Sequence, residues 1–528
     1  MAERTSPAAL RSLLDGNSPF ALIDVREAGE YNSSHIPGSS LIPRRQLESR
    51  MPAAAPCQGA SLVLCDDDGR RAELAGATLE RMGYTRVSIL EGGINRWTTQ
   101  GYPTQWGTNV PSKDLGEMLE VVHQVPEIEA TDLHQRIERG DKLVILDTRT
   151  PEEYRRFCIP GGRSVPGGEL ALRITDIVKD LDPDTTVIVN CAGRTRSIVG
   201  TRVLQRMGLT NIQGLKNGTS GWVLAGYEVE RDANRIQLPE PSPQGLAVAE
   251  AYAARLAAED GVRYLDIPAL QAALDRRGHE TVYLIDVRTS EEYEAGHIPG
   301  FQWFPGGQAL QRSDELTVVH NSTVVFACDG KARATFAASW YRQLGFQEAF
   351  AVDGGAAAWT AAGLPLEKGM PEEPLHGLAE ARSSVRLVSP QELHAGPSKA
   401  VIFVDTSQDF AQGHVAGARW VPRGSLELQI GGVAPTKETG IGVTCSDGRS
   451  STLAGATLKE LGYWDVSVLE GGMQAWRQAG LPVENGLAGV MTSPTDVVIL
   501  GVDRNPAEMM HYLRWETALG DKYQAQAG

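Results

Sequence analysis

Val187–Met207, VIVNCAGRTRSIVGTRVLQRM, is the stretch whose reading decides the fold. Val187–Val189 is a β-branched run that predicts a buried strand, and from Thr195 the apolar residues Val199, Val203 and Met207 fall four apart, a helical spacing. Cys191 stands between them, at the start of a loop that opens the helix. There it faces successive backbone N–H groups and the positive end of the helix dipole, both of which favour a thiolate. Arg194 and Arg196 add two permanent positive charges, so a lowered thiol pKa and an attraction for small anions follow from the same few residues.

The stretch recurs as Leu62–Met82 around Cys65, Val324–Leu344 around Cys328 and Ile441–Leu461 around Cys445. A glycine closes each helix: Gly83, Gly208, Gly345 and Gly462. Trp97, Trp222, Trp359 and Trp476 follow the cysteines by 32, 31, 31 and 31 residues, and Asp24, Asp147, Asp286 and Asp405 precede them by 41, 44, 42 and 40. Four landmarks in one order are an internal repeat, and steps of 126, 137 and 117 residues between cysteines mean tandem domains, each long enough for its own core. The longest step holds the proline-rich Gln237–Gln244 and an alanine-rich helical stretch, Leu246–Ala258, expected to separate the chain into two pairs of domains.

Upstream of three of the cysteines run IDVREAGEYNSSHIPG from Ile23, LDTRTPEEYRRFCIPG from Leu146 and IDVRTSEEYEAGHIPG from Ile285. The fourth counterpart, VDTSQDFAQGHVAG from Val404, is two residues shorter between aspartate and histidine and has Ser407 where the others have arginine. With EGGINRW, NGTSGW, DGGAAAW and EGGMQAW downstream, these motifs make each unit resemble the rhodanese family of sulfurtransferases. The resemblance implies an α/β fold of four tandem domains, each a parallel sheet flanked by helices, with the cysteine loop at the carboxyl end of a central strand. Alternation of β-branched runs with amphipathic helical stretches points to the same class independently.

The resemblance also implies thiosulfate sulfurtransferase chemistry through a cysteine persulfide, with Cys191, Cys445, Cys328 and Cys65 as nucleophiles and no cofactor. Arg194, Arg196, Lys331, Arg333, Arg449 and Ser450 are the expected donor-binding residues, joined in the fourth loop by Ser446 and Ser451. The donor would be a small sulfur anion such as thiosulfate. The acceptor would be cyanide, a small thiol or the cysteine of a sulfur-accepting protein. The aspartate and arginine of Asp-x-Arg are expected to stabilise the fold. Two other readings stand beside this one. One is a partly inactive persulfide relay or protein-binding scaffold. The other, a phosphatase, needs an arginine six residues after the cysteine, and only Arg71 stands there, behind three aspartates.

The expected domains are 1–107, 127–232, 264–368 and 385–484, with an extension over 485–528 and a linker around Pro371–Pro374. The second loop, CAGRTRS, has two arginines and no acid and is the best candidate for an active site. The first, CDDDGRR, puts Asp66, Asp67 and Asp68 directly after Cys65, and each carboxylate within about 6 Å disfavours a thiolate by roughly 0.7 to 3 kcal/mol. In the extension, Thr495–Val502 predicts a strand, and Asn505, Pro506 and Glu508 predict a capped helix start expected to pack on the fourth domain or to dock a partner.

Fifty basic and 66 acidic side chains give a formal charge of −16, with no basic run, which argues against nucleic-acid or anionic-membrane partners. No apolar run reaches the ~18–20 residues that span a bilayer. MAERTSPAALRSLLDGN is too polar for a signal-peptide core, so the expected location is the cytoplasm. Six cysteines fit a reducing compartment, and without CxxC or Cys/His clusters no zinc site is expected. Cys158, in CIPG against HIPG, is expected to be a packing residue.

Overall fold

The computed structural model of the chain describes residues 3–372, 375–396 and 400–526. Four parallel sheets are flanked by helices. In the second domain the strands lie in the order Glu127–Ile128, Ile212–Leu215, Thr186–Asn190, Leu143–Asp147 and Arg163–Ser164. Thr186–Asn190 is central and wholly buried, as a strand covered by helices on both faces must be. Its carboxyl end delivers Cys191 to the edge of the sheet, where open α/β sheets bind ligands. The same order recurs in the third domain, centred on Thr323–Ala327, and in the fourth, centred on Ile441–Thr444. In the first domain Leu62–Cys65 sits between Val87–Leu90 and Phe20–Asp24. The helix Thr195–Met207 ends at Gly208 with φ +98, the left-handed backbone that the sequence predicts for a helix-closing glycine.

The domains do not pair in chain order. One compact unit is Met1–Thr108 with Glu372–Val498, and the other is Asn109–Pro371 with Ile499–Gly528. In the first unit the contact is two-fold in character. Arg44 donates to Glu427 (2.6 Å) and to the Gly424 carbonyl, while Arg423 donates to Glu48 (2.8 Å) and to the Arg45 carbonyl. In the second unit the matching turns are Pro166-Gly167-Gly168 and Pro305-Gly306-Gly307. They meet backbone to backbone, and a Cβ on Gly168 would come within 2.9 Å of the Gly307 nitrogen.

The alanine-rich stretch is a helix over Pro243–Asp260, capped by Ser242. It joins domains rather than separating them. Ala249, Tyr252, Ala253 and Leu256 share one core with Ile198, Val199 and Val203 of the second domain and Phe336 and Trp340 of the third. Of the expected linker, Glu373 and Pro374 lie outside the described residues.

Asp147 and Arg149 form a wholly buried ion pair (2.7 Å), and Arg149 also donates to the Phe157 carbonyl. Asp24–Arg26 and Asp286–Arg288 repeat it. In the fourth domain the register corrects the sequence alignment. Val404 N–H bonds the Thr444 carbonyl as Val25 bonds Cys65 and Thr148 bonds Asn190, so Phe403 takes the aspartate's place and Asp405 the arginine's. Ser407 opens the next helix instead. Its N–H and hydroxyl both donate to Asp496, which is buried.

The extension departs from expectation twice. Thr495–Val502 forms no strand. Its backbone finds isolated partners instead, such as Gly29 N–H on the Thr495 carbonyl, and Gly501–Asp503 is a 3₁₀ turn. The helix Pro506–Ala518 starts where predicted, with Asn505 and Glu508 forming a capping box. It packs on the second domain, not the fourth: Thr195 donates to Glu516 across 2.8 Å, and beyond the helix Tyr523 donates to Asp114 of the helix Val110–His123. Among the described residues no helix is long and apolar enough to cross a membrane, and no cluster of His, Cys, Asp and Glu could hold a metal ion.

Candidate active site

One backbone register is common to all four loops. The carbonyl of Cys191 accepts from Thr219 N–H (2.8 Å), that of Cys328 from Ala356 and that of Cys445 from Met473. Each donor follows a glycine, Gly218, Gly355 or Gly472, at which a Cβ would come within 2.4, 2.2 or 2.5 Å of that carbonyl oxygen, so no side chain fits. In the first domain the residue held this way is Asp66, by Ile94 N–H (2.8 Å) and Gly93. Cys65 is thus misplaced by the sequence reading. It is the last residue of its strand, paired with Asp24 and wholly buried. Asp66 stands where the other loops have cysteine, and its carboxylate accepts from the N–H groups of Gly69 (2.5 Å), Arg71 (2.7 Å) and Ala72 (3.3 Å). The loop's own side chain occupies the donors that an anionic ligand would use. Burial and the nearby Asp24 push the Cys65 thiol well up from its ordinary value.

Cys191 is buried, with Sγ 3.4 Å from the Ser197 hydroxyl. The two arginines of its loop part company. Arg196 makes a two-pronged bond to Glu153 (2.7 and 2.9 Å); burial works against its charge, but Glu153, with Cys191 adding to the effect, holds the guanidinium firmly protonated. Glu153 itself lies at about 2, because Arg196 outweighs the effect of burial. Arg194 turns away to Glu117 on the helix Val110–His123 (2.6 and 2.9 Å) and approaches Asn217. Burial pushes Glu117 up to about 7 against the pull of Arg194, with Glu516 adding to the rise.

The sequence reading missed Glu153, although its signal was present. The glutamate sits at the third position of a capping box opened by Thr150, and Glu30 and Glu292 repeat it. Arg71 is bound by Glu30 and Arg333 by Glu292 in the same way. Arg333 is bound further by Glu169 and Asp329, so three carboxylates surround the charge expected to attract a donor. Lys331 points outward to Asp353 (2.7 Å). Burial and Asp329 push Cys328 up to about 12.

In the fourth loop Cys445 Sγ accepts from Gly448 N–H (3.0 Å) and Ser451 N–H (3.3 Å), and it lies 3.1 Å from the Ser451 hydroxyl. Ser446 N–H is taken by Asp405 (2.8 Å), whose charge adds to burial in pushing Cys445 up to about 12. Arg449 is exposed at the loop's outer end, and Ser450 holds the position of Arg196. Asp405→Asn keeps the acceptor and removes the charge. It is expected to raise the thiolate population of Cys445 at neutral pH by about tenfold. The check is the rate of iodoacetamide alkylation of Cys445 against pH, whose midpoint moves to lower pH in the variant.

Cys158 is packed with Tyr154 and Ala233, and all six cysteines are unbridged.

Comparison with known proteins agrees with this fold. The family model for the rhodanese-like domain matches residues 6–100, 129–225, 268–362 and 389–479. A thiosulfate sulfurtransferase of Azotobacter vinelandii is 26% identical over 255 residues, covering 41% of this chain and 92% of that protein. A sulfurtransferase of Allochromatium vinosum is 28% identical over 105 residues, 20% of this chain and 94% of its own length. The crystal structure of a thiosulfate sulfurtransferase from Pseudomonas aeruginosa superposes with a TM-score of 0.89 at 33% identity, covering 100% of this chain and 99% of that one. Four matches in tandem, each holding a strand, loop and helix in one register, mean that the chain belongs to the rhodanese family of sulfurtransferases.

Proposed function

We propose that the protein is a thiosulfate sulfurtransferase acting by double displacement, with Cys191 as its principal nucleophile. The observation that carries this reading is the placing of Cys191 at the mouth of the helix Thr195–Met207, in an acid-free loop that also carries the Glu153-bound Arg196 guanidinium. In the first step the Cys191 thiolate bonds to the outer sulfur of thiosulfate, the donor's S–S bond breaks, and the electron pair leaves with sulfite. Arg196 and the loop N–H groups oppose the negative charge on the departing sulfite and on the persulfide that remains. In the second step an acceptor such as cyanide or a thiol takes the terminal sulfur, and the electron pair returns to Cys191. No proton, oxidant or cofactor is required to balance either step.

Cys328 and Cys445 hold the same register and would run the same chemistry more slowly at neutral pH, their thiols being pushed up to about 12. The first domain is read as a non-catalytic module because Asp66 replaces the nucleophile and fills the anion cradle. The reading places the protein in the cytoplasm, where unbridged thiols persist. Its test is sulfite release by stoichiometric enzyme and thiosulfate before any acceptor is added. A prompt burst of sulfite is expected; release that waits for cyanide would contradict a covalent intermediate.

A further inference from the structure

Two segments outside the fourfold repeat converge on the Cys191 loop, the helix Val110–His123 and the C-terminal helix Pro506–Ala518. Glu516 is 1% exposed, and its carboxylate accepts from the Thr195 hydroxyl, four residues beyond the nucleophile. A Cβ built on Gly193, in the loop itself, would meet Glu516 Oε2 at 3.5 Å and the Tyr512 ring at 3.6 Å. The third domain offers the control. At Gly330, which holds the same loop position after Cys328, a Cβ would meet nothing within 4 Å.

The covering helix is anchored from both sides. Lys113 lies over the rings of Tyr512 and Trp515, and the Arg504 guanidinium lies over Tyr512 at 4.1 Å. Met509 and Leu513 are buried beneath it, Arg156 pairs with Asp503, and Lys522 pairs with Asp114. Burial and Glu516 hold the Tyr512 phenol well above its ordinary value, with Cys191 adding to the rise.

We propose that residues 499–526 form a wall of the Cys191 site that restricts its sulfur acceptor to small molecules and excludes protein thiols. A protein cysteine must bring its own backbone and neighbours to within bonding distance of the persulfide sulfur, and the surface it would occupy is taken by Tyr512 and Glu516. Cyanide or a small thiol needs only a channel. The Cys328 loop carries no comparable cover at Gly330. The proposal rests on Cys191 being the sulfur-carrying nucleophile.

The test is alkylation of the full chain by two thiol probes of different size, iodoacetamide and a maleimide carried on a polyethylene glycol chain, with Cys191 read by peptide mass spectrometry. In the wild-type protein iodoacetamide is expected to label Cys191 and the large maleimide to leave it unlabelled. Glu516→Lys breaks the bond to Thr195 and sets a second cation beside Lys113. It is expected to raise large-probe labelling of Cys191 by at least about tenfold. Transfer to the protein thiol of reduced thioredoxin, relative to cyanide, should rise in parallel. Labelling of buried Cys158 in the same sample reports global unfolding; if it occurs, the result is taken from Tyr512→Ala, which trims the wall without adding charge. Equal labelling of wild-type Cys191 by both probes, or a size ratio unmoved in the folded variant, would overturn the proposal. Failure of the underlying functional reading is seen separately, as absence of sulfane sulfur on Cys191 after thiosulfate whatever the probe ratio.

Discussion

Cys191→Ser is expected to remove most thiosulfate-dependent thiocyanate formation by the full chain, a fall of more than about tenfold, while leaving the fold intact. The change swaps one atom of similar size at a position already beside a hydroxyl, Ser197, so the cost to packing is small. What remains must come from Cys328 and Cys445. With those thiols at about 12, only about one molecule in 10⁵ carries the thiolate at pH 7. The sign of the pH dependence follows. A thiol whose pKa is raised gains reactivity as pH rises toward that value, so residual activity in the variant should climb steeply between neutral and alkaline pH. Cys328→Ser and Cys445→Ser should each change the wild-type rate at pH 7 little. An undiminished rate in Cys191→Ser would show that another loop carries the turnover.

Asp66→Cys is expected to create a sulfur-accepting loop in the first domain, where the wild type has none. The substitution puts a thiol at the position held by Ile94 N–H and frees the Gly69, Arg71 and Ala72 N–H groups that the carboxylate now occupies. Arg71, paired with Glu30, already stands where Arg196 stands beside Cys191. Replacing Asp66, Asp67 and Asp68 together by Ser-Gly-Asn, with Cys65 left in place, should create nothing, because that thiol belongs to the strand and packs in the core. Loss of three hydrogen bonds to a charged acceptor is expected to lower stability by about 2–4 kcal/mol in either variant. Denaturant unfolding separates that cost from the gain in chemistry. Persulfide on Cys65 of the triple variant, or none at position 66 of the folded Asp66→Cys variant, would refute the register argument.

Most of the fold was legible because it is written four times. Buried β-branched runs, amphipathic helices and closing glycines recur at one spacing, and the strands and helices they predict are present. The two misplacements had a signal in the same spacing. Trp97 lies 32 residues after Cys65 but 31 after Asp66, matching the other three domains. Phe403 precedes Cys445 by 42 and His414 by 11, matching Asp286 before Cys328 and before His297, whereas Asp405 does not. Chemistry drew the eye to the reactive residue types, while the backbone register obeys position. The domain pairing and the docking of the tail were not legible. Pairing of the first domain with the fourth depends on Arg44, Glu48, Arg423 and Glu427, charged residues that look like any solvated surface until they face one another. The tail helix gave its start and its apolar residues but no mark of its partner, because Thr195 and Lys113 are ordinary polar residues in sequence. Arg194 was legible as a charge but not as one already neutralised, since Glu117 lies in a linker helix outside the repeat.

The most direct test of the whole account is a map of sulfane sulfur along the chain. The wild-type protein is treated with thiosulfate, trapped with a thiol-blocking reagent and digested, and each cysteine peptide is weighed. The account predicts one added sulfur atom on Cys191, less on Cys328 and Cys445, and none on Cys65. An added sulfur on Cys65, or its absence from Cys191, would contradict it.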